Sequence, residues 1–191
     1  MSGLLLKSDR EKWDQRYSAE PNDIPAPDPF LVQHSNILNT GRALDLACGR
    51  GGNAVFLAER GYRVDAVDIS FVALSRLRAE ADRRRLDIDC VVADLDDFWL
   101  PESFYELVVV FYFFSESLVH GIKDTLKPGG LLFYATFNRR HTSVQPGFNP
   151  DYLVEPEALG KYFAQFEILI HEPEAGEDRN ISRLIGKRRP Q

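Results

Sequence analysis

The stretch Asp45-Leu-Ala-Cys-Gly-Arg-Gly51 begins within a short apolar run, residues 43–47, and leads to a helix-like segment, residues 53–60. The run has the length and character of a buried strand, and the two glycines allow the backbone to turn sharply. The helix that follows would point its free N–H groups at whatever binds against the turn. This order of elements predicts a ligand site at the carboxyl end of a parallel strand.

Strands and helices continue to alternate after this turn. Further strands are predicted at residues 62–67, 88–93, 107–113 and 131–137, the last entered through the turn Lys127-Pro-Gly-Gly130, with helices at 70–85 and 115–126. Such alternation is typical of right-handed crossovers and a parallel sheet covered on both faces. Two final strands, residues 166–171 and 181–186, have no helix between them and should pair antiparallel. We therefore predict a doubly wound α/β sheet of seven strands, mostly parallel, with a C-terminal antiparallel strand.

The first 41 residues are predicted to form an N-terminal helical lid segment ahead of residues 42–191, within a single domain. A helix is predicted at 8–17, with Ser8 or Asp9 as its cap, and another at 30–38. A proline-rich connector, residues 21–29, separates them. A further helix is expected at 155–163, before the last two strands.

Composition narrows the class of protein. The chain has 191 residues, 44% hydrophobic and 27% charged, which suits one globular domain. Its net charge of -6 argues against nucleic acid or an anionic membrane as a partner, and no apolar run approaches the roughly 20 residues that span a bilayer. Cys48 and Cys90 lie in no metal-ligand spacing, so we predict no metal and a cytoplasmic location. The tail Lys187-Arg188-Arg189 is expected to be a solvated terminus.

The charge of the glycine turn separates two kinds of ligand. Gly49, Gly51 and Ala54 fit the loose G-x-G-x-x-A pattern of dinucleotide-binding loops, which alone is a weak signal. Asp45 would be a poor neighbour for an anionic pyrophosphate but a good one for a cation. An NAD-dependent oxidoreductase therefore stays open as an alternative that this carboxylate argues against.

Two more acids follow the next strands. Asp68 ends the second strand about 20 residues after the glycines, where a carboxylate can bind both ribose hydroxyls of a nucleoside. Asp94 ends the third strand, where it can accept a hydrogen bond from an adenine amino group while Leu95 packs on the ring. Asp65, near Asp68 in the sequence, is expected to be an exposed surface acid.

Together these motifs resemble class I S-adenosylmethionine-dependent methyltransferases. The resemblance rests on residues 45–53, Asp68, Asp94 and the segment Leu126-Lys-Pro-Gly-Gly-Leu-Leu132, and it covers residues 42–137. It implies a Rossmann-like fold, S-adenosylmethionine as cofactor and S-adenosylhomocysteine as product. The cofactor-binding residues that it implies are Asp45, Ala47, Cys48, Gly49, Gly51, Asn53, Asp68, Ile69, Ser70, Asp94, Leu95 and Phe111, with Cys48 as a packing residue rather than a nucleophile.

The segment Lys12-Trp-Asp-Gln-Arg-Tyr17 resembles the first helix of the small tellurite-resistance and thiopurine-type group of these enzymes. In that group the helix folds over the bound cofactor. The resemblance implies that Trp13 and Tyr17 shield the methionine arm and that Arg16 pairs with its carboxylate. The simpler alternative is that Trp13 and Tyr17 only dock this helix on the sheet.

The acceptor is expected to bind near the ends of the fourth and fifth strands. Methyl transfer is an in-line displacement that depends on alignment and exclusion of water, and it needs a base only if the acceptor carries a proton. The catalytic candidates are His141 as a base, Arg139 for an anionic acceptor, and Tyr112. Further pocket candidates are Phe113, Ser115, Glu116, Asn138 and Arg140. For every one of these acceptor candidates, the first three included, an exposed polar loop is the simpler interpretation. His34, His120 and His171 are expected to be surface or packing residues.

The leading hypothesis is a methyltransferase, monomer or homodimer, acting on a small soft nucleophile such as tellurite, selenite or a thiol. RNA or protein acceptors, favoured by a basic stripe at Arg139 and Arg140, and a non-catalytic cofactor binder are the alternatives. Asn149-Pro-Asp-Tyr152 is similar to the Asn-Pro-Pro-Tyr motif of enzymes that methylate adenine or glutamine amino groups. It follows the fifth strand rather than the fourth and has Asp151 at its third position, so we interpret it as a turn.

Overall fold

The computed structural model describes residues 2–146 and 148–190. It contains a seven-stranded mixed sheet, which confirms the predicted α/β architecture. The chain divides into two compact units, one up to Phe98 and one from Trp99 onward. No helix in the described part of the chain is long and apolar enough to cross a membrane.

The first unit holds three parallel strands in the order β3-β2-β1. Its strands are β1 (Gly41–Leu46), β2 (Tyr62–Asp68) and β3 (Ile88–Val92), and its helices are α1 (Ser2–Ala19), α2 (Pro29–Gln33), α3 (Gly52–Ala58) and α4 (Phe71–Arg84). Single-turn 3₁₀ helices span Ser35–Ile37 and Leu95–Asp97. Strands β1 and β2 are mostly buried, as expected for parallel strands covered on both faces, although both carry charged residues.

Helix α4 begins and ends where its sequence predicts. The Ser70 side chain accepts a hydrogen bond from the Ala73 backbone as the N-cap, and Arg85 closes the other end in a left-handed conformation. The predictions for the N-terminal helices were less accurate. Helix α1 begins at Ser2, so neither Ser8 nor Asp9 caps it. The helix predicted at 30–38 is two short pieces, because the backbone leaves the helical conformation at His34.

The prediction that Asp65 is exposed was wrong. Its side chain lies buried on β2, where Arg42 of β1 donates two hydrogen bonds to it, each 2.8 Å long. A fork-to-fork pair of this kind satisfies a carboxylate that would otherwise be costly to bury. Asp65 thus fixes β2 to β1 and is no part of a ligand site.

The second unit holds four strands in the order β4-β5-β7-β6. These are β4 (Tyr105–Phe111), β5 (Leu126–Phe137), β6 (Glu167–Ala175) and β7 (Ile181–Lys187). Strand β5 is parallel to β4, and β7 is antiparallel to both β5 and β6, which confirms the predicted C-terminal pairing. The helices are α5 (Glu116–Thr125), α6 (His141–Val144) and α7 (Ala158–Tyr162), and a 3₁₀ turn spans Pro150–Tyr152.

Three expectations about this unit need correction. The predicted turn at residues 127–130 lies inside β5, where a register irregularity against β4 and a positive φ of 80° at Gly129 absorb it. The helix predicted at 155–163 shortens to α7, and a turn precedes it. The basic tail is not simply solvated, because the Arg188 guanidinium donates to the backbone carbonyls of Asp124 and Leu126.

Candidate functional site

The turn after β1 depends on its glycines for both conformation and space. Gly49 and Gly51 have φ values of 54° and 80°, in the left-handed region that glycine adopts without strain. A Cβ on Gly51 would overlap the Leu77 side chain, and one on Gly49 would lie 2.8 Å from Oη of Tyr17. The loop is therefore packed closely on both α4 and α1.

Asp45 ends β1 beneath this loop and is 1% exposed. One carboxylate oxygen accepts a hydrogen bond from the Ala54 backbone at the start of α3. The other, Oδ2, has no hydrogen-bond partner among the described residues. Burial, and next the charge of Asp68, raise the pKa of this carboxyl to about 8. Such a group favours a positively charged or donating ligand.

Asp68, at the end of β2, holds the glycine loop in place. Its Oδ2 accepts from the Gly49 N–H at 2.8 Å, and its Oδ1 accepts from the Ser70 N–H at 2.8 Å. Burial raises the pKa of Asp68, and these backbone hydrogen bonds work in the opposite direction. Two buried carboxylates thus lie at the carboxyl ends of neighbouring parallel strands, where open sheets bind their ligands.

The third predicted acid is placed differently. Asp94 is half-buried after β3, and its side chain accepts from the Asp96 N–H at 2.9 Å, which caps the short 3₁₀ turn that contains buried Leu95. Ile69 is half-buried and Ser70 is buried, directly after Asp68. The cofactor roles predicted for these residues stay predictions, but all lie at the carboxyl ends of β2 and β3.

The remaining loop residues have structural contacts. Ala47 has a positive φ of 54°, and Cys48 places its Sγ 3.6 Å from the Gly49 carbonyl. Burial, and next the charge of Asp45, raise the pKa of the Cys48 thiol, which fits a packing residue better than a nucleophile. Asn53 accepts a hydrogen bond from the Asp28 N–H at 2.8 Å.

Helix α1 is docked on the start of α4 by polar contacts that the sequence did not reveal. Oδ1 of Asp14 accepts from the Ser70 Oγ at 2.6 Å and from the Val72 N–H at 3.1 Å. Arg10 donates to the Ile69 carbonyl at 3.3 Å. A polar residue within a surface helix carries no sequence signal for such a role.

Two aromatic residues of α1, Trp13 and Tyr17, stack on each other, and Tyr17 lies against the glycine loop. Trp13 and Tyr17 stack with ring centroids 5.6 Å apart, and the Tyr17 hydroxyl approaches Gly49. Arg16 lies 5.0 Å above the Trp13 ring and pairs with Glu20 at 3.3 Å. The geometry fits a helix that lies over the glycine loop. The contact of Arg16 with a methionine carboxylate stays a prediction.

In the second unit, several predicted acceptor residues gather near the ends of β4 and β5. Tyr112 follows β4 with a positive φ of 59°, is 46% exposed and lies 5.2 Å from the Phe137 ring. Phe111 is buried at the end of β4. Glu116, at the start of α5, accepts from the Tyr162 hydroxyl at 3.4 Å.

His141 is buried rather than exposed. Its ring stacks on Phe137 at 4.0 Å and meets the edge of Phe148 at 4.7 Å. Nδ1 lies 3.0 Å from Nδ2 of Asn180, and Nε2 has no hydrogen-bond partner within the described residues. The position is compatible with a base only if the ring becomes accessible to the acceptor.

The other candidates after β5 have protein partners. Exposed Arg139 pairs with Glu155, and Arg140 lies 2.6 Å from Glu174, so both guanidinium groups already have carboxylate partners. Buried Asn138 donates to the carbonyls of Pro173 and Arg179, each at 3.1 Å. The Asn149–Tyr152 segment is a capped 3₁₀ turn, as predicted.

A cleft of about 650 Å³ lies in the first unit between the connector, α3 and α4. Its walls include Ile24, Phe56, Arg76 and Glu80, and none of the three predicted cofactor acids lines it. No cluster of three metal-ligating side chains occurs among the described residues. The glycine loop with Asp45 and Asp68, and not this cleft, therefore remains the predicted cofactor site.

Comparison with known proteins identifies relatives of the chain as a whole. A family model described as a methyltransferase domain matches residues 43–130. The ubiquinone biosynthesis O-methyltransferase of Idiomarina loihiensis is 31% identical over 117 residues, which are 58% of this chain and 48% of that protein. The probable S-adenosyl-L-methionine-dependent methyltransferase TehB of Haemophilus influenzae is 24% identical over 165 residues, 81% of this chain and 57% of that protein.

Solved structures support the fold. The crystal structure of TehB from Haemophilus influenzae has a TM-score of 0.75 at 19% identity, over 93% of this chain and 67% of that one. A structure described as the conversion of a disulfide bond into a thioacetal group during echinomycin biosynthesis has a TM-score of 0.72 at 23% identity, over 94% and 92%. The chain spans about half the length of two curated relatives that it matches. The predicted fold and the predicted family resemblance are confirmed.

Proposed function

Since the chain carries a class I S-adenosylmethionine-dependent methyltransferase domain, we propose that it transfers a methyl group from S-adenosylmethionine to a small-molecule acceptor. The observation that carries this proposal is the unpartnered Oδ2 of buried Asp45 beneath the glycine loop. The cofactor supplies a methyl group on a positively charged sulfur, next to an ammonium group. A buried carboxylate with a free oxygen fits such a ligand and opposes the pyrophosphate of NAD.

Different residues in and around the loop would contact different parts of the cofactor. Asp45 supplies negative charge once a bound cation displaces its proton, and Asp68 offers its remaining lone pairs to ribose hydroxyls while it holds Gly49. The glycines admit the ligand to the backbone. Leu95 and Ile69 supply apolar surface for an adenine ring, and the N-terminus of α3 faces the same region.

Ligand binding tests the cofactor directly. S-adenosylhomocysteine at 100 times its Kd should stabilise the protein by about 2.7 kcal/mol, whereas NAD should give no shift. Asp45→Asn should weaken this binding about 10-fold to 100-fold, the range expected for one charge-assisted contact. Asp89→Asn, on the surface of β3, is the matched control and should bind normally. Stabilisation by NAD alone would refute the proposal.

For the acceptor we propose a soft nucleophile such as tellurite, selenite or a thiol. The support for this class is the resemblance of Lys12-Trp-Asp-Gln-Arg-Tyr17 to the first helix of the small tellurite-resistance and thiopurine-type group. Such acceptors need no base, so catalysis would rest on alignment and exclusion of water. A screen with methyl-labelled donor across oxyanions, thiols, phenols and RNA tests the class, and labelling of RNA alone would contradict it.

A hydroxyl acceptor is the second candidate, and buried His141 is the observation that favours it. A hydroxyl must lose its proton, and the unpartnered Nε2 of His141 lies after β5, where acceptors are expected. The cover of Phe148 over the ring argues against it. His141→Gln should lower kcat with phenols and leave thiol methylation unchanged. Equal losses with both acceptors would exclude the base role.

A further inference from the structure

Arg50 stands between the two glycines of the cofactor loop, but its side chain binds the N-terminal segment. Its Nη1 donates to the carbonyls of Pro21 at 2.7 Å and Asp23 at 2.8 Å. Its Nε lies 3.1 Å from a carboxylate oxygen of Glu20, and its side chain is only 16% exposed. The planar guanidinium thus binds Glu20 and two residues of the connector, Pro21 and Asp23.

Arg76, on α4, holds the same stretch of chain from another side. Its Nη1 donates to the Tyr17 carbonyl at 2.6 Å and lies 3.4 Å from the carbonyls of Glu20 and Pro21. Helix α1 ends at Ala19, so its last carbonyls lack helical partners and favour a cation. We name Arg50 and Arg76, with the carbonyls of residues 17, 20, 21 and 23, the arginine clamp.

The connector also follows the cofactor loop beyond the arginine clamp. A Cβ on Gly52 would lie 2.6 Å from the Pro25 carbonyl oxygen, so the two backbones touch. The Asn53 side chain accepts from the Asp28 N–H. Residues 50–53 therefore all lie in a stretch that packs against the N-terminal segment, and Tyr17 lies against Gly49 next to them.

We propose that Arg50 and Arg76 are positioning residues for cofactor binding, which hold Trp13 and Tyr17 over the loop before the cofactor arrives. The proposal rests on the proposed function of the loop as the S-adenosylmethionine site. Ordering a segment on binding costs affinity, and a clamp that orders it beforehand removes that cost. Neither arginine contacts the cofactor in this role; both act through α1 and the connector.

A purely structural role as caps of α1 makes a different prediction from a positioning role. Caps contribute to the free energy of unfolding and leave the cofactor affinity of the folded protein unchanged. A positioning clamp changes affinity under conditions where the protein is fully folded. The two are separated by measuring dissociation constants and unfolding curves on the same variants.

The test uses Arg50→Met and Arg76→Met, with Arg78→Met as the matched control. Arg78 lies on the same helix as Arg76 but is exposed and pairs with Asp82 on the surface. The Kd for S-adenosylhomocysteine is measured by calorimetry at a temperature where circular dichroism shows each variant folded. In a Trp99→Phe background, which removes the 78% exposed tryptophan, the emission of Trp13 reports the packing of α1.

We expect Arg50→Met and Arg76→Met each to raise the Kd about tenfold or more and to shift Trp13 emission to the red, with Arg78→Met unchanged. Arg50→Lys, which keeps the charge but not the fork, should fall between wild type and Arg50→Met. An unchanged Kd in folded Arg50→Met would overturn the proposal. If the wild type itself binds no S-adenosylhomocysteine, the proposed function fails; an unchanged Trp13 emission in both variants overturns the clamp independently.

Discussion

The Gly49 N–H donates a 2.8 Å hydrogen bond to Oδ2 of Asp68, so the acid predicted to bind ribose also holds the cofactor loop to β2. The other oxygen of Asp68 accepts from the Ser70 N–H, which begins α4. One buried carboxylate therefore fixes the loop, the strand end and the following helix. Its loss affects both the binding surface and the fold that shapes it.

Asp68→Ala should weaken both stability and cofactor binding. Two buried N–H groups would lose their acceptor, which costs about 1–3 kcal/mol for each unsatisfied group, and the ribose contacts would disappear as well. We expect a lower urea midpoint and at least a tenfold higher Kd for S-adenosylhomocysteine by calorimetry. Asp87→Ala, at an exposed acid paired with Arg63, is the control and should alter neither. Normal affinity in Asp68→Ala would refute the ribose role.

Asp45 should make the stability of the free protein depend on pH. Folded Asp45 keeps its proton up to a pKa of about 8, while the unfolded carboxyl ionises near its ordinary value of 3.8. The folded state therefore binds more protons between these values, and the free energy of unfolding falls as the pH rises from about 4 to 8.

Urea unfolding at pH 5 to 9 tests this dependence. Asp45→Asn should flatten the decline between pH 5 and 8, whereas Asp89→Asn should follow the wild type. Binding of a cation at Asp45 should also displace the proton of this carboxyl below pH 8. Titration calorimetry in buffers of different ionisation enthalpy measures this proton release. Parallel pH profiles for Asp45→Asn and wild type would show that this carboxyl is ionised in the free protein.

Asn138 should prove structural rather than catalytic. It is fully buried, donates to the carbonyls of Pro173 and Arg179, and accepts from the Arg140 N–H at 3.0 Å. Asn138→Ala removes these three hydrogen bonds, although the Pro173 carbonyl keeps its bond from the Ser182 hydroxyl, and it should lower the free energy of unfolding by about 1–3 kcal/mol. Asn149→Ala, at an exposed cap, should cost under about 1 kcal/mol. A catalytic role would instead appear as lost turnover at unchanged stability.

The sequence was sufficient for the sheet and for the cofactor loop because both follow from local patterns. Apolar runs, glycines and strand-end acids are close in sequence to the elements that they define. Asp65 was misplaced because its partner, Arg42, lies on another strand. Arg50 was missed because its partners, two backbone carbonyls and Glu20, are distant in sequence and form no local pattern. The burial of His141 depends on Phe148 and Asn180 packing around it.

Gly49 and Tyr17 provide a test of whether α1 and the cofactor loop act together. A Cβ on Gly49 would lie 2.8 Å from Oη of Tyr17 but 3.5 Å from its Cζ, an ordinary contact. Gly49→Ala should therefore displace Tyr17 and also strain a residue with a φ of 54°, at about 1–2 kcal/mol. Both effects should raise the Kd for S-adenosylhomocysteine.

Tyr17→Phe removes the hydroxyl and leaves the ring stacked on Trp13. In Gly49→Ala, this second change should relieve the clash but not the backbone strain, so it should restore part of the affinity. A double-mutant cycle of Kd values measures the coupling, expected at about 0.5–3 kcal/mol for residues in contact. Tyr134→Phe, a buried tyrosine of β5 whose hydroxyl donates to the Phe113 carbonyl, is the control and should show no coupling with Gly49→Ala. Additive effects of Gly49→Ala and Tyr17→Phe would mean that Tyr17 does not contact the loop in solution. The predicted role of α1 as a lid would then be wrong.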